Sequence, residues 1–301
     1  MKRFFICAAA IVALASCSKT EVVNNEPQKE IGFKAVTGVV TKAEQTTANL
    51  GTMCVYAFLN EDKAEYFGNT QFAEGTGDLW VATPAKYWPL VHTLDFVVYA
   101  PYAANGTECN SSTKILTVST SNKGYTEITN QTDFLYGAEY YDNTDDKGYG
   151  KGNAYVPVNL KHAQAKIVVN FTGDGNVTLN DAKLTGVALT GKYTVDYTQT
   201  PPVAAWSDHA DETDVTMATD YGLDNANPMT YTLLAVPYTT ASTITFKYTL
   251  PECAPLNHTI DLAPWEPGKQ YTYNITISPK EIKFKPEVTT WEPLLGAEVE
   301  L

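Results

Sequence analysis

The chain has 301 residues, with 21 basic and 34 acidic side chains and a net charge of −13. A surface of that sign repels nucleic acid and anionic lipid, so no nucleic-acid partner is expected. Of the five cysteines, Cys7 lies in an apolar leader and Cys17 directly after it; Cys54, Cys109 and Cys253 are far apart and odd in number. That count gives no complete disulfide framework: one pair and three free thiols are both compatible with it. No CxxC or Cys/His metal spacing occurs, and no metal or cofactor is expected.

Residues 1–16 read as a targeting segment. Lys2 and Arg3 form a positive start, and Phe4 to Ala13 form an apolar run within the roughly 7–15 residues of a signal sequence. That run is shorter than the roughly 20 residues a spanning helix needs. Leu14-Ala15-Ser16-Cys17 then places small residues before a cysteine, the pattern cut by lipoprotein signal peptidase. Cleavage would make Cys17 the first residue, acylated on thiol and amine. At ~0.8 kcal/mol per buried methylene, several chains give stable anchoring where one is marginal. Ser18 stands where an inner-membrane retention signal carries aspartate, so the expected location is the outer membrane. Without Lys2 and Arg3 the chain keeps 19 basic against 34 acidic residues, a net charge near −15.

Residues 17–29 are mostly polar and read as a tether. From residue 30 the dominant period is two. Ile31, Phe33 and Ala35 alternate with Glu30, Gly32 and Lys34; Ala163, Ala165, Ile167, Val169 and Phe171 share one face, with His162, Gln164, Lys166 and Asn170 on the other. The same alternation marks Ile244 to Leu250, Tyr271 to Ile277 and Ile282 to Val288. These are half-buried strands. Thr, Tyr and Val fill the runs, Gly, Asn, Asp and Pro the gaps, and no long stretch has helical period. The fold class is therefore all-β and antiparallel, built of β-sandwiches. Tyr141 to Asn153 is the clearest composition break, so the two domains are placed at residues 30–156 and 157–301.

The search for chemistry is nearly empty. There is no HExxH, GxSxG or P-loop. Ser207-Asp208-His209 holds the residue types of a triad, but three consecutive residues cannot fold onto one another. Asp142, Thr144 and Asp146 resemble half a calcium loop, yet Lys147 occupies the glycine position and no glutamate follows at the twelfth. No catalytic or metal site is assigned, and no enzyme is expected. Trp80, Trp88, Trp206, Trp265 and Trp291 offer either core packing or a sugar-stacking platform.

Four segments resemble the Bacteroidales fimbrillin family: Thr132-Asp133-Phe134-Leu135-Tyr136-Gly137; Leu160-Lys161-His162-Ala163-Gln164-Ala165-Lys166-Ile167; Trp265-Glu266-Pro267-Gly268-Lys269-Gln270-Tyr271-Thr272-Tyr273-Asn274-Ile275; and Ile282-Lys283-Phe284-Lys285-Pro286-Glu287-Val288-Thr289-Thr290-Trp291. The resemblance implies two tandem β-sandwich domains and a lipoprotein subunit of a surface fimbria of the type V pilus kind, contributing to adhesion as stalk, tip or anchor. Its partners would be other fimbrillin subunits, the outer membrane through the lipid, and host or bacterial surface ligands. Family members lose an N-terminal strand to a trypsin-like protease, and a neighbour's strand fills the groove. Here that strand would be Ile31 to Val40 and the scissile bond Lys42-Ala43, lysine standing where many members have arginine. The candidate donor strand carries Ile282, Phe284 and Val288 on one face. The alternative is a stand-alone outer-membrane glycan-binding lipoprotein.

Mass spectrometry of membrane-extracted protein is expected to find Cys17 acylated at a new N-terminus. Cys17→Ala should accumulate as uncleaved precursor; an unmodified terminus elsewhere would contradict the leader reading.

Overall fold

The alternating runs become strands in a computed structural model, which describes residues 28–35, 51–59, 62–77, 79–90, 92–102, 107–110, 112–121, 131–137, 155–199, 201–210, 213–224, 226–237 and 242–291. The first ten strands are β1 (Phe33–Ala35), β2 (Thr52–Leu59), β3 (Glu65–Glu74), β4 (Trp80–Ala82), β5 (Leu94–Ala100), β6 (Glu108–Asn110), β7 (Ile115–Ser121), β8 (Leu135–Gly137), β9 (Val156–Val158) and β10 (Leu160–His162). Then come β11 (Ala165–Gly173), β12 (Val177–Val187), β13 (Thr190–Asp196), β14 (Val203–Ala210) and β15 (Thr213–Leu223). The chain ends with β16 (Met229–Ala235), β17 (Thr243–Thr249), β18 (Leu256–Asp261), β19 (Lys269–Ile277) and β20 (Ile282–Thr290). Every regular element among the described residues is a strand, as the period of two requires.

The N-terminal strands form an eight-stranded sheet in the order β10-β8-β5-β2-β3-β4-β1-β9. Its two ends, β10 and β9, are successive segments separated only by Asn159, so the sheet curls until its ends meet in one run of chain. Inside the curl lie Phe33, Val55, Phe72, Trp80, Phe96, Val98 and Leu135.

The central strands β2 and β5 are buried on both faces, which their nearly continuous apolar sequences demand. Met53, Val55 and Ala57 point into the curl, while Cys54, Tyr56 and Phe58 point out into a second core. That second core is covered by a four-stranded sheet, β14-β13-β7-β6, through Val118, Tyr193 and Val195. Backbone pairing here crosses residue 156, because β7 precedes it and β13 follows it. Asp95 is the one charged residue of β5. It is buried and meets the Lys63 Nζ at 2.6 Å. Lys114 closes the same edge, its Nζ donating to the Lys63 carbonyl at 2.8 Å and sitting 3.5 Å above the Phe58 ring; burial lowers its pKa.

The C-terminal strands make two facing four-stranded sheets, β16-β11-β19-β20 and β15-β12-β17-β18. Ile167, Val169 and Phe171 of β11 meet Ile244, Phe246 and Tyr248 of β17 in one shared core, where the Phe171 and Phe246 rings pack edge-on at 5.2 Å. Two faces assigned from periodicity alone need correction. His162, Gln164 and Lys166, read as a polar outer face, are buried; Trp291 stacks on His162, and Gln164 accepts the Phe134 N–H. The last strand, read as half-buried, is exposed over nearly its whole length.

Cys54 and Cys109 are both buried free thiols in the second core, whereas Cys253 is exposed. Burial pushes each buried thiol from 9.0 up to about 12. Between those values the unfolded chain ionises its thiols and the folded chain does not. The folded state then binds more protons, so the thiols' contribution to stability is complete below pH 9 and falls as pH rises toward 12. The slope is at most about 1.4 kcal/mol per pH unit for each thiol. Urea melts near neutral pH and at about pH 10.5 should show this loss, and the Cys54→Ala, Cys109→Ala double variant should show a shallower one. Equal slopes in both proteins would contradict the assignment.

Candidate assembly site

The first strand lies between β4 and β9 in the curled sheet. Phe33 pairs antiparallel with Trp80 of β4, and residues 33–35 pair in parallel with Val156, Pro157 and Val158 of β9. Flanking bonds extend the seat: the Ile31 N–H donates to the Lys86 carbonyl at 2.7 Å, and the Trp88 N–H to the Lys29 carbonyl at 3.0 Å. Ile31 and Phe33 are fully buried, and the Phe33 ring meets Phe72 and Phe96 edge-on at 5.0 and 5.1 Å. Gly32 faces the other way, where a Cβ would come within 2.9 Å of the Leu79 side chain. Without this strand the sheet would have two raw backbone edges beside an apolar slot lined by Phe72, Trp80, Phe96, Val156 and Val158. The strand expected at Ile31 to Val40 is described only as far as Ala35. Lys42, Ala43 and Cys17 lie outside the described residues.

A second cluster joins the two halves of the molecule. Asp133 and His162 are both buried, with Asp Oδ1 3.0 Å from His Nδ1; a carboxylate only accepts, so the imidazole N–H donates. The other side of the imidazole is the Trp291 ring, stacked at 3.7 Å and 8°. The Trp291 N–H donates to the Gly268 carbonyl, and the Gly268 N–H donates to the Gln164 carbonyl, each at 2.9 Å. Gly268 has φ of 65°, a left-handed conformation that favours glycine. The Gln164 side-chain oxygen accepts the Phe134 N–H at 2.9 Å, and the Ala163 N–H donates to the Phe134 carbonyl at 3.0 Å. Gln131 reaches across the same boundary, accepting the Leu234 N–H at 2.6 Å. Burial pulls Lys166, next along β11, down to about 8. All four segments that carried the resemblance thus converge here: Asp133 and Phe134, His162 to Gln164, Gly268, and Trp291.

The third part of the site is β20. It pairs antiparallel with β19 from Ile282↔Ile277 to Thr290↔Lys269 and forms the edge of its sheet. Ile282, Phe284, Pro286 and Val288 stand opposite Ile277, Ile275, Tyr273 and Tyr271, on the face that makes the core. Yet Phe284 is 36% and Val288 57% exposed. The strand overhangs the facing sheet, leaving its apolar row partly bare; Phe284 stacks on Tyr273 at 5.9 Å. The hydrogen bonds at Ser278–Glu281 and Gly268–Trp291 fix the alternation, so the odd-numbered residues of β20 bond to β19. The Pro286 nitrogen therefore faces the free edge. Its missing N–H removes no bond to β19 and blunts the edge against unwanted pairing.

The profile of the fimbrillin-like family matches residues 30–291. The chain belongs to the fimbrillin-like family. Solved structures of similar fold include a fimbrial protein from Bacteroides vulgatus, at 16% identity and TM-score 0.62, covering 88% of this chain and 100% of that one. Another is the tip fimbrial protein Mfa3 from Porphyromonas gingivalis with C-terminal truncation, at 11% identity and TM-score 0.50, covering 87% and 100%. No curated protein matches the chain.

The remaining candidates of this fimbrillin-like chain fall into place around that geometry. Trp80, Trp88, Trp265 and Trp291 are buried, and Trp206 is partly buried, its indole N–H donating to the Ala163 carbonyl at 2.6 Å. The tryptophans are packing groups and form no exposed platform. Ser207, Asp208 and His209 follow one another along β14, and the His209 Nε2 lies 3.0 Å from the Pro237 carbonyl. Residues 142–147, the half calcium loop, lie outside the described residues. Among the described residues no group of three His, Cys, Asp or Glu side chains could hold a metal. No described helix is long and apolar enough to cross a membrane.

The slot and the edge should respond differently to truncation. Phe33→Ala is expected to lower stability by about 3–5 kcal/mol, as for other buried phenylalanines. Val288→Ala, on the exposed row, should stay within about 0.5 kcal/mol. Denaturant melts of the two variants decide this; equal effects would mean that β1 is not seated as described.

Proposed function

We propose that this protein is a non-catalytic structural subunit of a cell-surface fimbria, at a stalk, tip or anchor position, assembled by strand exchange and contributing to adhesion. The observation that carries the reading is β1: a strand near the chain start, seated between two others, whose removal opens a ready acceptor groove. An incomplete sheet with two free edges and an apolar floor is completed by one extended segment from a neighbour, through main-chain bonds and alternate side chains. Re-burying side chains in the Ile31 and Phe33 positions contributes roughly 1.5–3 kcal/mol each.

On this reading the chain is a lipoprotein held in the outer membrane through Cys17, and proteolysis after Lys42, before Ala43, releases β1. Residues 30–156 and 157–301 act as two tandem sandwich units that share the β6-β7-β13-β14 sheet, with β9 and β10 carrying the start of the second unit into the curled sheet of the first. The C-terminal segment 281–301 is the donor, with Ile282, Phe284 and Val288 as its apolar row. Other fimbrillin subunits are the partners in assembly, and surface ligands of host or bacterial cells are those in adhesion. The negative net charge fits a partner that is not nucleic acid.

Two experiments bear on it. A lysine-specific protease should cut after Lys42 before it attacks the sandwich cores, and residues 30–42 should leave the body; nicks at Lys19 and Lys29 carry no information, since chain termini are cut readily in any protein. Retention of the fragment under mild denaturant would support a fixed first strand and count against exchange. Deleting residues 281–301 should leave a folded, soluble protein that no longer extends polymers. A deletion that misfolds or aggregates would show that the segment belongs to its own sheet.

A further inference from the structure

The cluster at the junction of the two halves has a position that its chemistry alone does not require. It holds the one residue at which the last strand ends. The hairpin of β19 and β20 has its closed end at Ser278–Glu281 and its open end at Lys269↔Thr290. Ten more residues follow Trp291. A pull on that following chain would act at the open end and peel β20 from β19 one bonded pair at a time, the weakest way to load a hairpin. The side chains of β20 offer little resistance, because they are exposed along nearly the whole strand.

Trp291 stands at the point where such peeling would begin. Its N–H is bonded to Gly268, and its ring lies flat on His162, which Asp133 holds from behind. His162 belongs to β10, paired with β8 in the curled sheet, and Asp133 lies two residues before β8. The contact therefore ties the end of the C-terminal sandwich directly to the N-terminal sheet.

We propose that the Trp291–His162–Asp133 stack is a mechanical clasp: it passes tension on the C-terminal segment into the N-terminal sheet and keeps β20 from peeling. The inference rests on the fimbrial reading only for the direction of the pull; the clasp is a property of the single chain before any donation, and donating residues 281–301 would first require it to open. Trp291 supplies the stacked surface, His162 the plate beneath it, and Asp133 the fixed orientation of that plate. Gly268 positions the tryptophan backbone.

An optical trap tests it, with one handle on Ser112→Cys, in an exposed turn of the N-terminal half, and the other at the C-terminus, in a Cys253→Ser background. The unaltered junction should yield without an early step. Trp291→Ala should add an early, low-force extension of roughly 35 Å, the length of about ten residues pulled straight. Trp291→Phe, which keeps a stacked ring, should largely restore the parent behaviour. An early step in the parent, or none in Trp291→Ala, would overturn the clasp.

Hydrogen exchange gives a readout that needs no variant. The amides of Glu287 and Thr289, at the open end, should exchange as slowly as those of Lys283 and Lys285 near the turn. Faster exchange at the open end would mean fraying and would sink the proposal. Failure of the protein to form polymers would count against the fimbrial reading and leave both of these measurements unchanged.

Discussion

The buried hydrogen bond between Asp133 and His162, covered by Trp291, is the constraint that sets how the two halves of the molecule are joined. A charged or polar pair taken out of water is tolerated only when its geometry and hydrogen bonds are complete. Here completion requires three distant pieces of chain to arrive together: the approach to β8, the crossing from β10 to β11, and the end of β20. The hydrogen bonds of Gln131, Gln164 and Gly268 surround the pair and fix those pieces to one another. Hydrophobic burial builds the three cores, and this polar junction sets how the sheets that enclose them are joined.

The first strand occupies the opposite role. It contributes Ile31 and Phe33 to the curled sheet's core and bonds on both sides over the residues described, up to Ala35. The stabilising contacts are concentrated on two side chains, so the remaining sheet keeps most of its own ladders. On the proposed reading, the deep burial of those two side chains is what gives the vacated groove an apolar floor. The last strand presents the complementary face of the same problem: a full-length ladder to β19, almost no burial, and a proline that guards its outer edge.

Much of this was legible in the residues. Alternation located β11, β17 and β19 and named their buried faces, because period two is a direct consequence of strand geometry. It failed where a face is covered by something distant. His162 and Gln164 look like solvent-facing residues in a local window, and nothing within ten residues of them announces Asp133, Gly268 or Trp291. The same limit hid the pairing of β7 with β13, since one strand's pattern does not name its partner. It also assigned β20 a buried face from Ile282, Phe284 and Val288, of which Ile282 packs on the core while Phe284 and Val288 overhang the facing sheet. One signal did point to the junction without being read that way: His162, Gln164, Gly268 and Trp291 all belong to the four segments of the resemblance, and that resemblance marked structural residues of the junction more than functional ones.

The central claim is that β1 must leave its seat for the protein to assemble, and a strand staple tests it most directly. Lys34 and Pro157 are register partners on β1 and β9. A disulfide between Lys34→Cys and Pro157→Cys, in a Cys253→Ser background, would tie the strand into the sheet without touching its buried side chains. The account predicts that the stapled protein folds, stays monomeric after protease treatment, and regains assembly when the disulfide is reduced. Assembly of the stapled protein at the same rate and extent as the reduced form would contradict it.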